Sequence, residues 1–174
     1  MILLIGKQII KRVNKIIIIN CIANEPIQLH VDSLEKSNLD NLNLHRAILN
    51  QENLCGSSLV GTNLRGAEIK EANLSRTNLT CALLMVAILE NSNLESSNLT
   101  KAKLAGADLS NANLSNAILV GADVWNTNFK YAKLMGANML CERIQDIVLE
   151  GALFDENTIW PPMFNPLEYG AIKI

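Results

Sequence analysis

Few side chains in this chain are of a type and spacing that could do chemistry. A metal site needs three or four His, Cys, Asp or Glu donors converging on one point, and a nucleophile needs a base within reach. The only histidines, His30 and His45, stand without a Cys, Asp or Glu cluster at ligand spacing, and neither a Ser-His-Asp order nor a glycine-rich phosphate loop occurs. The four cysteines, Cys21, Cys55, Cys81 and Cys141, include no CxxC pair and read as free thiols in a reducing compartment. No catalytic, cofactor-binding or metal-ligating residue is therefore assigned, no cofactor is expected, and the chain is read as a non-enzyme.

The elements that would position any site follow a five-residue rhythm. A leucine-like residue stands at every fifth position from Leu34 to Met139, 22 times without a slip, with Ile69, Val124 and Phe129 among them. At about 100° per residue a helix would scatter such a series around its axis, and a flat strand would send every second one to the opposite face. The chain must turn a corner once per repeat. Two residues before each leucine, from Ser57 to Ala137, all 17 positions are Ala, Ser or Thr. Residues two apart on a short extended segment face the same way, so a large and a small side chain share a narrow interior. Asn, Asp and Lys between them, as at Asn73, Asn93 and Lys103, read as an outer wall.

The motif is plain in Gly106-Ala107-Asp108-Leu109-Ser110-Asn111-Ala112-Asn113-Leu114 and in Glu71-Ala72-Asn73-Leu74. It resembles the pentapeptide repeat family over residues 29–159, and so many copies in one phase make the match specific. The resemblance implies an all-β fold, a right-handed quadrilateral parallel β-helix of about six turns with four repeats to the turn. Its structural core would include Leu54, Leu64, Leu74, Leu94, Leu104 and Leu114, with Ala72, Ala107 and Ala112 as the small partners. Residues twenty apart would stack. Asn53, Asn73, Asn93 and Asn113 would then form an amide ladder, and Cys81 and Cys141, three turns apart at roughly 14 Å, would lie beyond disulfide reach.

Three segments are expected: 1–28 as an N-terminal cap or targeting segment, 29–159 as the repeats, and 160–174 as a closing tail. In the first, Ile9, Ile10, Val13, Ile16 and Ile17 fall at helical spacing with Lys7, Lys11 and Lys15 opposite, which favours a short helical cap over the first turn. The same residues leave two other readings open. Ile16 to Ile19 could be a strand paired onto the first turn, and the basic start, short apolar run and Cys21-Ile22-Ala23 resemble an export signal. The compartment expected is the cytoplasm, with periplasm or thylakoid lumen as the alternative if residues 1–23 direct export. No segment is long enough to span a bilayer, and the basic face offers only weak membrane-surface contact.

At the far end Pro161 and Pro162 cannot donate ladder hydrogen bonds and should stop the coil, while Phe154, Trp160 and Phe164 supply bulk to cover it. This Trp-Pro-x-x-Phe-x-Pro tail resembles the closing segment of bacterial members of the family. Charged residues in the inward small column, Glu52 and Glu142, occur only near the ends, where they can reach water.

Function must then lie on the outer walls. Stacking at twenty residues builds the column His45, Arg65, Met85, Ala105, Trp125 and Gln145, with Leu83 and Val86 beside Met85 and Ile88 on the adjoining wall. Exposed apolar groups in such a cluster mark partner sites, so Arg65, Leu83, Met85, Val86 and Trp125 form the candidate partner surface. The expected function is a rigid protein-interaction or scaffolding module with an unidentified protein partner, or a second copy of itself through the same wall. The alternative, an activity of some family members, is inhibition or protection of DNA gyrase or topoisomerase by imitation of duplex DNA. That requires rows of carboxylates; Glu68, Glu71, Glu90 and Asp108 gather, but Lys70 sits among them and Lys101, Lys103, Lys130 and Lys133 occupy other outward sites. A net charge of −2, from 15 basic and 17 acidic residues, favours neither direct nucleic acid binding nor a strongly acidic mimic.

Overall fold

A computed structural model describes residues 16–22 and 25–174. Through its middle the chain pairs with itself at a constant offset: from Asn38↔Ser58 through Ile118↔Asn138 every bridge is parallel and joins residues twenty apart. Three bonds per repeat hold coil to coil, one of them from the corner, where the Gly56 N–H donates to the Ser75 carbonyl at 2.9 Å. The Leu54 N–H donates to the Asn73 carbonyl at 2.8 Å, and the Asn73 N–H returns to the Glu52 carbonyl at 3.0 Å.

A corner follows each leucine. The Leu54 carbonyl accepts the Ser57 N–H at 3.0 Å, and the residue between, Gly56, has φ +65°, the sign a type II turn demands at its third residue. Four such corners per twenty residues give each coil four sides. Glycine and asparagine are the natural occupants of a left-handed corner, and Gly61, Gly66, Asn91, Asn111 and Asn116 take it.

The lumen is filled by stacked side chains. Leu54, Leu64, Leu74, Leu94, Leu104 and Leu114 are buried, as are Ala72, Ala107 and Ala112. Alanine beside leucine lets each ring of side chains settle on the next, so stability comes from neighbouring coils.

The ends differ from the sequence expectation in three ways. Ile16 and Ile17, assigned above to a helical stripe, lie in strand β1 (Ile16–Ile19), which pairs antiparallel with β2 (Ile27–His30). The strand reading of Ile16 to Ile19 is the correct one, although β1 pairs with β2 and not with the first coil. β-Branched residues fit the pleat better than a helix. The rest of the stripe, Ile9, Ile10 and Val13, lies outside the described residues. The chain leaving β1 meets the first coil instead: the Ile48 N–H donates to Asn20 O at 2.8 Å and the Ile22 N–H to Arg46 O at 3.1 Å. Asn20 thus supplies the acceptor that an earlier coil would have provided.

Second, Pro161 and Pro162 break the rhythm without ending the pairing. Beyond them a 3-10 turn, Pro166–Tyr169, leads into β4 (Ile172–Lys173), which lies parallel to β3 (Leu153–Phe154). Phe154, Trp160, Phe164 and Tyr169 pack in series with ring centroids 5.7, 5.5 and 4.7 Å apart.

Third, the last coil slips register. Asp123 pairs with Glu142, nineteen residues on, and Asn138 with Ile159, twenty-one on. Among the described residues no helix is long and apolar enough to cross a membrane.

Candidate functional site

On each side of a coil the N–H just after the leucine has no backbone partner on the next coil, and where an Asn or Asp stands just before the leucine it supplies one; Ile48, Leu83, Ile88, Lys103, Ile118 and Lys133 occupy that position on other sides. Oδ1 of Asn63 accepts the Arg65 N–H at 3.2 Å, that of Asn93 the Glu95 N–H at 3.1 Å, and that of Asp108 the Ser110 N–H at 3.0 Å. This local bond is the main task of the Asn columns. Turn-to-turn amide bonds are present too, from Asn73 to Asn53 at 3.0 Å and from Asn113 to Asn93 at 3.3 Å.

The side built on Leu44, Leu64, Leu84, Leu104 and Val124 departs from that rule at its centre. Leu83 stands where an Asn or Asp would be and has no acceptor to offer the Met85 N–H. Val86 occupies the corner at φ +50°, where a β-branched residue is strained, and remains 55% exposed. Leu83 and Met85 are half-buried. Outward-facing apolar residues on this coil therefore carry a backbone cost on both sides of Met85.

One coil earlier lies a notch of about 500 Å³ lined by His45, Arg46, Arg65, Gly66 and Val86. Gly66 creates the hollow, since a β-carbon there would meet Arg46 Cγ at 3.4 Å. Arg65 and Arg46 are exposed, and neither forms an ion pair among the described residues. On the adjoining side Glu68 and Glu71 accept hydrogen bonds from Asn50 at 3.2 Å and Gln51 at 2.9 Å.

Two coils beyond Met85, roughly 10 Å along the axis, Trp125 is 47% exposed; Ala105 and Gly106 leave a dip between. Here the register slip corrects the sequence reading. Gln145 does not continue the column but enters a 3-10 turn, Ile144–Asp146, while Arg143 at φ +54° swings out beside Trp125. Its guanidinium stands 5.5 Å from the Trp125 ring centre and pairs with Asp123. Burial would raise the Asp123 pKa; the Arg143 hydrogen bond, the Trp125 N–H and the charges of Arg143 and Lys103 outweigh it and hold the carboxyl below its ordinary 3.8. Arg143 was missed because the leucine-like spacing continues unbroken to Ile144 while the pairing does not. The only sequence signal was Glu142, a charged residue in the small column.

The structure thus brings Arg65, Leu83, Met85 and Val86 onto adjacent coils, with Trp125 farther along the same wall. Ile88, on the adjoining side, is half-buried. A second apolar strip, Ile118, Val120, Leu140 and Ile159, is exposed on a different side and escaped the sequence reading; its signal was Ile118 in an Asn position. All four cysteines are free, Cys81 exposed and Cys21 buried, and burial pushes the Cys141 thiol up to about 12. Glu52 and Glu142 are exposed.

The model for pentapeptide repeats, in eight copies, matches residues 37–76, 53–84, 77–116 and 107–139. The chain belongs to the pentapeptide repeat family. Pentapeptide repeat proteins are β-helix solenoids of right-handed coil, and the twenty-residue pairing here is of that kind. The pentapeptide repeat protein Rfr23 from the cyanobacterium Cyanothece 51142 is 29% identical, with 71% of this chain and 91% of that one covered and a TM-score of 0.54. HetL, a pentapeptide repeat protein involved in heterocyst differentiation regulation in the cyanobacterium Nostoc sp. strain PCC 7120, is 30% identical over 72% of this chain, with a TM-score of 0.46. The chain spans 63% of the length of HetL. Full-length QnrB1, a plasmid-mediated fluoroquinolone resistance protein, is 14% identical over 79% of this chain and 92% of that one, with a TM-score of 0.32. No curated protein matches the chain.

Proposed function

We propose that this pentapeptide repeat chain is a non-enzymatic, rigid interaction module, a four-sided rod of about six turns that docks a partner protein on the wall carrying Arg65, Leu83, Met85, Val86 and Trp125. One observation carries the reading. At one coil an apolar residue, Leu83, takes the acceptor position, and the corner beside it holds Val86, the only β-branched residue at positive φ among the described residues; both present apolar side chains outward. Departures from a repeat's own local rules, without a gain in packing, mark function. In this reading β1 and residues 160–174 cover the two ends of the 29–159 repeats, and the free thiols favour a reducing compartment, the cytoplasm.

Imitation of DNA toward a topoisomerase is less well supported. It needs runs of unpaired carboxylates, whereas Glu90 pairs with Lys70 at 3.4 Å and Glu150 with Lys130 at 2.8 Å. A gyrase supercoiling assay separates the two readings: inhibition or rescue by the purified chain would favour imitation. The docking reading is tested by capture from a lysate of the source cells, comparing the wild type with a Trp125→Ala, Met85→Ser double variant of unchanged melting temperature. Loss of specific captured proteins from the variant is expected; equal recovery rejects the wall. Sedimentation of the pure chain asks whether the partner is a second copy.

A further inference from the structure

The docking wall has a chemical polarity that defines its partner more closely. This step rests on the reading just proposed. On a chain of net charge −2, the wall's outward residues include the cations Arg46, Arg65 and Lys103, while its acids, Asp123, which pairs with Arg143, and Glu142, stand together at the Trp125 end. Arg46 and Arg65 form no ion pair among the described residues, and on the adjoining side Glu68 and Glu71 accept from Asn50 and Gln51. Both arginines line the notch over Gly66. Directly beyond it lie Leu83, Met85 and Val86, then the dip at Ala105 and Gly106, then Trp125.

We propose that the wall recognises an extended acidic-then-apolar segment of a partner protein, its carboxylate held by Arg46 and Arg65 in the notch and its bulky aliphatic side chain seated over Ala105 between Met85 and Trp125. Arg65 and Ala105 are two coils apart, roughly 10 Å, which an extended peptide covers in about three residues. Guanidinium groups bind carboxylates by paired, charge-assisted hydrogen bonds, and neither arginine has an ion pair to release among the described residues. The apolar centre argues against a nucleic acid, whose phosphates would require cations to continue along the wall where Leu83, Met85 and Val86 stand. An anionic membrane would meet Leu83 and Met85 only half-exposed.

The probe is a fluorescein-labelled twelve-residue peptide carrying Asp-Glu followed three residues later by Leu-Leu, with Ser and Gly elsewhere, titrated with the full chain by fluorescence anisotropy. Replacing Asp-Glu with Asn-Gln is expected to weaken binding at least tenfold, as is replacing Leu-Leu with Ser-Ser. An Arg46→Ala, Arg65→Ala double variant should lose at least tenfold for the parent peptide and show no further loss when Asp-Glu is replaced. Both arginines are exposed, and a melting curve on the variant verifies that it folds. Added salt should weaken the parent and leave the Asn-Gln peptide nearly unaffected.

Several results overturn the proposal. If parent and Asn-Gln peptides bind alike while Met85→Ser weakens both, the acid anchor is rejected and the docking wall stands. No binding of the parent peptide at millimolar protein rejects the acidic-apolar partner, and so does tighter binding of a duplex DNA oligonucleotide or of phosphatidylserine vesicles. Equal lysate recovery by the Trp125→Ala, Met85→Ser variant rejects the wall itself, whatever the peptide does.

Discussion

Arg143 reaches back across one coil to Asp123, its Nε 2.7 Å from Oδ1, with its guanidinium 5.5 Å from the centre of the Trp125 ring. A second carboxylate near the same end, Asp155, accepts the Gly136 N–H at 2.8 Å and is further bonded by Asn157 and Thr158. The Gly136 bond and those of Asn157 and Thr158 bring it from 3.8 to about 2, against burial. A carboxyl depressed in the folded chain contributes stability that is complete above its unfolded pKa and is lost as pH falls through the folded one. Melting temperature should therefore hold steady down to about pH 5 and fall toward pH 2. An Arg143→Ala, Asp155→Asn chain should lose part of that acid slope and be less stable than wild type at neutral pH. An unchanged slope would show that neither carboxylate governs the acid transition.

The lumen should be the least forgiving region. Leu94 is fully buried within a stack of aliphatic rings, so Leu94→Ala should cost about 2–5 kcal/mol in a urea titration. Leu94→Asp places a carboxylate where no partner exists and should leave no cooperative transition by circular dichroism. A cooperative melt at the wild-type temperature would contradict the assigned interior.

How far the sequence could be read follows from how strictly each position is constrained. Leu54 and Ala72 were legible as interior because a narrow lumen admits only one large and one small side chain per side, and every coil repeats the demand. Val86 and Leu83 were legible as outward for the same reason, but their cost was not: it required φ at Val86 and the acceptor role that Asn63 and Asp123 play elsewhere in the Leu83 column. The register slip at Glu142 was hidden because Met139, Ile144 and Leu149 keep five-residue spacing while the backbone pairs one residue out of step. β1 was ambiguous because a run of isoleucines satisfies strand alternation and part of a helical stripe at once, and only its pairing with β2 decides.

Two serine hydroxyls in the lumen, Ser57 and Ser97, are buried without a hydrogen-bond partner, whereas Thr77 between them donates to Leu74 O at 2.7 Å. Later coils have Ala117 and Ala137 in this column. Ser57→Ala and Ser97→Ala should each stabilise by roughly 1 kcal/mol, by removing a desolvated and unsatisfied hydroxyl. Ser92→Ala is the control, because that hydroxyl donates to Leu89 O at 2.6 Å and its loss should not stabilise. Equal effects from all three in chemical denaturation would reject the assignment of satisfied and unsatisfied hydroxyls.

Val86 offers the sharpest separation of folding from function. Its neighbours in the same corner role include Asn91, Asn111 and Asn126, all at positive φ, and asparagine tolerates that region where valine does not. The Val86 side chain leans over Gly106, whose added β-carbon would meet Val86 Cγ1 at 3.2 Å, so replacing it gives up a modest contact. Relief of backbone strain, on the order of 1–3 kcal/mol, should outweigh that loss, and Val86→Asn should raise the melting temperature. The same substitution removes exposed apolar surface from the centre of the docking wall and should weaken capture of the partner. A variant that is more stable and binds less well would mean that the strain is retained for binding. If Val86→Asn instead lowers stability, valine is held in that corner by packing, and the argument from local cost to function fails at its central residue.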